Sequence, residues 1–382
     1  MSVSISCEST DQPRTMPARP GPPSHGGLSA VVEHRPYQSA AIATVRKHWA
    51  AGRRRVVVAL PTGAGKTVIG AALLAGAARP LVLVPSRELA DQTRERIPGA
   101  TVLTYQAASR PRRLATLAAH DAVFLDECHH AAAGRWCGIL GALAPAALVV
   151  GVTATPERAD GAPLGDLFSA LVATAPYSHL LRRGWISPCA VRLAEGEDPA
   201  AAYLAHGQRR PGIVAVRTVA EGRRVVTALM AEGVRASTVD STMRAAARKA
   251  AVEGFRAGTL DVLVSPMALA EGFDAPRAEV AVLGRTLEHA GTYLQWVGRV
   301  LRPAPGKRGA LVIDCTGATE RHGHPTADRE YSLAGNGKGG GAIRAVRPPA
   351  ARRLASFAAA VVETISRELF PFRLWRAVRS LF

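Results

Sequence analysis

The 382-residue chain has little of what a secreted or metal-stapled protein needs. Its five cysteines, Cys7, Cys128, Cys137, Cys189 and Cys315, are scattered, odd in number and form no C-x-x-C pair. That spacing argues against a disulfide framework and against a zinc finger, and points to a reducing compartment. The N-terminal stretch has no apolar signal core, and no run approaches the length of a membrane span, so the expected location is cytoplasmic. Aromatic residues make up only 5%, although hydrophobic residues reach 48%, so the core has to be built from Ala, Val and Leu, as in a parallel α/β protein. Acidic residues are also short: 30 Asp and Glu face 48 Lys and Arg, a formal net charge of +18. A polyanion is the natural partner for such a surface, nucleic acid first and an acidic membrane surface second. The competing explanation is a general bias towards Arg and Ala.

What is present is a long alternation. Short apolar runs of strand length alternate with Ala- and Leu-rich helical stretches from about residue 35. The runs are RVVVAL (55–60), PLVLVP (80–85), TVLTY (101–105), AVFLDE (122–127) and ALVVGVTAT (147–155). After a less regular crossing at GWISP (184–188) come PGIVAV (211–216), ASTVD (236–240), LDVLVS (260–265), AEVAVLG (278–284) and GALVID (309–314). Two series of buried strands with intervening helices predict an α/β fold of two parallel-sheet domains, at 30–192 and 193–330. A Ser-, Pro- and Gly-rich leader is expected at 1–29, and a basic linker with an amphipathic C-terminal tail at 331–382. From residue 338 onward, nine Lys and Arg stand against two Asp and Glu.

The chemistry starts where RVVVAL runs into PTGAGKT (61–67) ahead of a helical stretch. A glycine-rich turn between strand and helix presents backbone N–H groups to phosphate. Thr62, Gly63, Ala64 and Gly65 would form the cradle, Lys66 would reach the outer phosphates, and Thr67 would offer its hydroxyl to Mg²⁺. Leu60 stands where this pattern usually has Gly or Ala, so the turn is a P-loop variant. AVFLDE then supplies two carboxylates at a strand end, which side-chain alternation would aim at separate tasks. Asp126 would hold Mg²⁺ and Glu127 would orient and deprotonate water. The neighbouring Cys128, His129 and His130 are common zinc ligands, but consecutive residues cannot all face one ion. His129 is expected to couple parts of the site and Cys128 to be an ordinary small residue. RHGH (321–324) is expected to be a solvated loop rather than a metal site. Gln295, Arg299 and Arg302 in QWVGRVLRP (295–303) fall on one helical face, placing two arginines where they could meet a transferring phosphoryl group. A basic helix facing solvent or DNA is the other reading of that face.

In chain order, RPYQ (35–38), PTGAGKT, VPSRELADQ (84–92), TYQ (104–106), DECHH, VTATP (152–156), EGFDAP (271–276) and QWVGRVLRP resemble the motif series of superfamily 2 helicases of the DEAD-like group. The similarity is to the branch containing type III restriction enzyme Res subunits and bacterial or phage DNA helicases, and covers about residues 33–316. It implies two tandem RecA-like domains binding ATP and Mg²⁺ between them. It further implies that Arg35, Gln38, Gly272 and Asp274 contact the nucleotide. Ser86, Arg87, Glu88, Thr104, Gln106, His129, Thr153 and Thr155 would touch nucleic acid or couple it to ATP; Gln295, Arg299 and Arg302 would be catalytic, with Arg299 and Arg302 acting on the γ-phosphate. The expected activity is ATP-dependent movement along nucleic acid, DNA before RNA. An ATP-gated clamp, or a duplex translocase subunit of a restriction or defence complex that does not separate strands, is the alternative. The tail FPFRLWRAVRSLF could serve as a nucleic-acid arm, a membrane-surface helix or a partner-docking helix, or be a poorly ordered basic tail. Truncation at residue 340 is expected to leave basal ATPase intact and weaken nucleic-acid binding.

Overall fold

The computed structural model describes residues 33–130, 133–156, 163–266, 276–334 and 342–343. The leader, EGFDA at 271–275 and the tail beyond residue 343 lie outside these, and with them Gly272 and Asp274.

Two six-stranded parallel sheets make up the frame. The first is formed by β1 (Arg55–Ala59), β2 (Pro80–Val84), β3 (Thr101–Thr104), β4 (Ala122–Leu125), β5 (Leu148–Thr153) and β6 (Ala170–Val172), in the order β3-β2-β4-β5-β1-β6. The second contains β7 (Cys189–Leu193), β8 (Gly212–Ala215), β9 (Ala236–Thr238), β10 (Val262–Ser265), β11 (Val280–Leu283) and β12 (Ala310–Asp314), in the order β7-β12-β11-β8-β10-β9. The α/β reading from the apolar runs therefore holds, and so does the tandem parallel-sheet arrangement. Central strands are Val- and Leu-rich and buried on both faces: Val56, Val57, Val58, Val82, Leu83, Val123 and Phe124 are all 0% exposed. β7 pairs with β12 from Cys189 onward, so residues 189–192 belong to the second sheet rather than to the first domain as read from sequence.

The order within each sheet places the tips of β1, β4 and β5 side by side, because β5 lies between β4 and β1. Loops leaving those three tips therefore converge. The helix Lys66–Leu74 starts directly after Gly65, whose φ of +75° is the left-handed geometry that glycine tolerates. Ser86 caps the helix Arg87–Arg96 by accepting from Leu89 N at 3.3 Å, and Thr104 caps the short helix Tyr105–Ala108 by accepting from Ala107 N at 3.2 Å. Beyond the second sheet the chain returns to the first: Gly165 N donates to Leu333 O at 2.9 Å and Ser178 N to Asp328 Oδ1 at 2.8 Å. Among the described residues no helix is long and apolar enough to cross a membrane.

Candidate nucleotide site between the two sheets

A cleft opens between the sheets, lined on one side by Thr62, Gly63, Gly65, Lys66, Thr67, Asp126 and Glu127, and on the other by Gln295, Arg299 and Arg302. The structure thus brings together residues more than 160 positions apart in sequence, such as His129 and Gln295. Leu89, Gln92 and Arg96, from the helix that follows VPS, also line it.

The two carboxylates do not alternate along a strand. β4 ends at Leu125, and Glu127 adopts a left-handed φ of +48°. This turn, held by Asp126 N donating to Leu83 O at 2.9 Å, points both acids into one cleft. Tyr105 Oη donates to the Asp126 carbonyl and pins the turn from below. Glu127 pairs with Lys66 at 3.3 Å. Burial, and then the Glu127 charge, push the Asp126 carboxyl well above the usual carboxylate range, against the pull of Lys66. A carboxylate desolvated in this way has a strong electrostatic preference for a cation beside it.

The donor set fits a nucleotide with a divalent cation. Gly63 and Gly65 both have positive φ, and a Cβ on Gly65 would lie 2.5 Å from Gln38 Nε2, so the turn is shaped for backbone rather than side chains. The Thr62 hydroxyl is buried without a hydrogen-bond partner. Lys66, Thr67 and Asp126 line the cleft together with this turn. Arg35, Gln38 and Ala64 sit behind the turn. Gln38 Oε1 accepts from Arg35 N at 2.9 Å, and the Ala64 carbonyl accepts from Gln38 Nε2 at 3.2 Å and from Tyr37 Oη at 2.6 Å. Trp185, in the crossing between the sheets, packs on this group: its ring lies 5.7 Å from the Arg35 guanidinium and 5.0 Å from the Tyr37 ring.

His129 links the two halves. Its Nε2 is 3.0 Å from Gln295 Nε2 and its Nδ1 is 2.8 Å from Thr153 Oγ1. With the Gln295 amide donating, Nε2 accepts and Nδ1 carries the proton. Thr153 Oγ1 then accepts from His129 and from Thr155 N at 3.0 Å, and donates to Thr155 O at 2.7 Å, so its hydrogen-bonding capacity is filled. Cys128 turns the other way, 1% exposed, into the core beneath the sheet.

The helix Ala290–Val300 meets the first sheet through small residues. A Cβ on Gly298 would lie 2.4 Å from Thr62 Cβ, and one on Gly291 3.0 Å from Thr155 Oγ1. Gly291, Gln295 and Gly298 therefore form the stripe that faces the other domain. The helix ends at Val300 with Leu301 as its cap, so Arg302 is not on a helical face with Gln295 and Arg299 as the spacing suggested. It reaches the cleft from the following turn, its stem against Gly63.

The remaining sequence-predicted residues lie outside the cleft lining. Arg87, Glu88 and Gln106 are exposed, and Ser86 and Thr104 act as helix caps. Glu88 meets Arg248 of the second domain at 3.4 Å. Tyr105, Leu89 and Gln92 lie within TYQ and VPSRELADQ but carry no role of their own in the sequence reading, and Trp185 and Arg96 lie outside every motif. The signal for Trp185 is that it is a rare aromatic in the irregular GWISP crossing.

Comparison with known proteins agrees with this geometry. Residues 31–101 and 99–158 match the family model described as type III restriction enzyme, res subunit, and residues 200–304 match the helicase conserved C-terminal domain. A Mycobacterium tuberculosis protein named DNA 3'-5' helicase XPB is 28% identical over 347 residues, covering 76% of this chain and 62% of that protein. A Halobacterium salinarum protein named for the DNA 3'-5' helicase Rad25 is 29% identical over 317 residues, covering 69% of this chain and 52% of its own length. The chain thus spans between half and two thirds of these relatives. Among solved structures, a fragment described as a type I restriction enzyme HsdR subunit from Vibrio vulnificus aligns with a TM-score of 0.62 at 22% identity, covering 76% of this chain and 65% of that one. At that identity the likeness is one of fold.

Proposed function

Because the chain belongs to the superfamily 2 helicases, as a relative of the type III restriction Res subunit, we propose that it is an ATP-driven motor on DNA. The observation that carries this reading is the cleft in which Lys66, Asp126 and Glu127 from one sheet face Gln295, Arg299 and Arg302 from the other. Such an arrangement is complete only when the domains are together, so it ties hydrolysis to domain closure. Lys66 and the Gly63–Gly65 turn would bind the phosphates, with Thr67 and Asp126 holding Mg²⁺. The metal would neutralise charge on the outer phosphates. Glu127 would orient and deprotonate water, and Arg299 and Arg302 would stabilise charge on the transferring group. His129 would report the state of Glu127, at 3.5 Å from its Nδ1, to Thr153 and Gln295.

DNA is favoured as the track by the relatives named as DNA 3'-5' helicases and by the +18 charge. Backbone contacts made by Lys and Arg predict steep salt dependence. DNA affinity should fall roughly 10³-fold between about 50 and 200 mM salt if about six phosphates are neutralised. A salt-insensitive affinity in a binding titration would count against backbone tracking. Motion is tested by displacement of a triplex-forming strand from duplex DNA. The third strand should be released only with ATP, and not by Glu127→Gln protein. No displacement, alongside brisk DNA-stimulated hydrolysis, would point to gated binding instead.

A further inference from the structure

We propose that Lys307 is a positioning residue for the arginine turn, holding Arg302 against the P-loop. The observation is one ammonium among four backbone carbonyls. Lys307 Nζ lies 2.6 Å from Val300 O, 2.9 Å from Arg302 O, 2.5 Å from Ala278 O and 3.5 Å from Pro276 O. Val300 is the last residue of the helix Ala290–Val300, and Arg302 lies just beyond its cap. The final carbonyls of a helix lack intrahelical partners and carry the negative end of its dipole, so a cation there is favourable. Ala278 and Pro276 lie on the approach to β11. Lys307 therefore ties the end of the arginine helix to the second sheet.

The turn is closed from the other side as well. Leu301 O accepts from Ser187 N at 2.7 Å, and Arg302 O accepts from Ser187 Oγ at 3.3 Å. All three carbonyls from 300 to 302 are thus satisfied, by Lys307 and by the segment that crosses between the sheets. Gly306, with φ of +77°, reverses the chain and delivers Lys307 beneath the residues it holds. From this turn Arg302 runs across Gly63, where a Cβ would meet its Cγ at 3.1 Å. Without the ammonium, the carbonyls of Val300 and Arg302 would lose a charged donor in a half-buried setting. The turn could then relax away from the cleft while the rest of the sheet stayed folded.

The charge on Lys307 can itself be read out. Burial lowers its pKa to about 8; Glu279 and Cys189 act against that shift, and Arg302 adds to it. Raising the pH through about 8 therefore neutralises the ammonium and removes one of its donors.

This inference rests on the reading of Arg302 as a contact to the transferring phosphoryl group, and a double-mutant cycle separates the two. Lys307→Met should lower kcat for ATP hydrolysis roughly 10- to 100-fold, the cost of losing a charged hydrogen-bonding partner, with little change in KM. The Arg302→Ala, Lys307→Met double variant should be no slower than Arg302→Ala alone, because Lys307 acts through Arg302. Losses that multiply would overturn the positioning role. Full activity in Arg302→Ala would instead overturn the phosphoryl-contact reading. Lys307→Arg, charged at every pH used, gives a second arm that does not depend on the Met variant folding. Wild-type kcat should fall as pH rises through about 8, and the Arg variant should lose that alkaline limb. The same limb in both proteins would contradict the proposal.

Discussion

Glu127→Gln is expected to slow ATP hydrolysis about 10²- to 10⁴-fold, the usual contribution of a positioned general base, while nucleotide affinity stays within a few-fold. The geometry sets this expectation. Glu127 is delivered to the cleft by a left-handed turn at φ +48° and is paired with Lys66 at 3.3 Å. Glutamine keeps the shape and one accepting oxygen for Lys66, but it loses the charge of that pair and the second oxygen facing His129, and it cannot take a proton. The Asp126 carboxylate beside it is untouched, so the residues that hold phosphate and metal remain. Steady-state hydrolysis with fluorescent-nucleotide binding separates the two effects. A variant that hydrolyses at the wild-type rate would remove Glu127 from the chemistry.

Gly298→Val should be nearly as damaging by a different route. Its Cβ would lie 2.4 Å from Thr62 Cβ, inside any real contact distance, and Thr62 sits on the P-loop backbone and has little room to yield. The helix must move away, carrying Gln295 and Arg299 with it. Losing the arginines is expected to cost about 10³-fold in hydrolysis. The second domain should stay folded, because valine is a better helix former than glycine in a helix interior. Nucleotide binding to the first domain should persist. Hydrolysis assays combined with an inter-domain fluorescence distance would check this. Near-normal hydrolysis would mean that the packed arrangement of Gly298 on Thr62 is not the working one.

Much of the frame was legible in the sequence for a physical reason. Parallel strands buried on both faces read as continuous apolar runs, as β1, β2, β4, β5, β8, β10, β11 and β12 do, while the edge strands β3 and β9 showed only as shorter mixed runs. β6 has only three residues, and β7 is an edge strand carrying Arg192 with its outer residues exposed, so neither left such a run. Local chemistry was legible as well: the glycine-rich turn, the paired acids and the Gln-Gly-Arg helix each follow from short-range spacing. What spacing could not give was backbone conformation and distant partners. Nothing in DEC announces that Glu127 turns left-handed. Helical periodicity carried Arg302 past Leu301, where the helix stops. Trp185, Tyr105 and Lys307 owe their places to contacts distant in sequence, with Arg35, the Asp126 carbonyl and the Ala278 carbonyl.

The most direct test is ATP hydrolysis measured with no polymer, single-stranded DNA, duplex DNA and RNA, for the wild-type and Glu127→Gln proteins side by side. Strong stimulation by DNA that disappears in the variant is the predicted result, and the form of DNA that stimulates best identifies the track. Hydrolysis at one rate with every polymer would contradict a motor whose ATP site is coupled to nucleic acid.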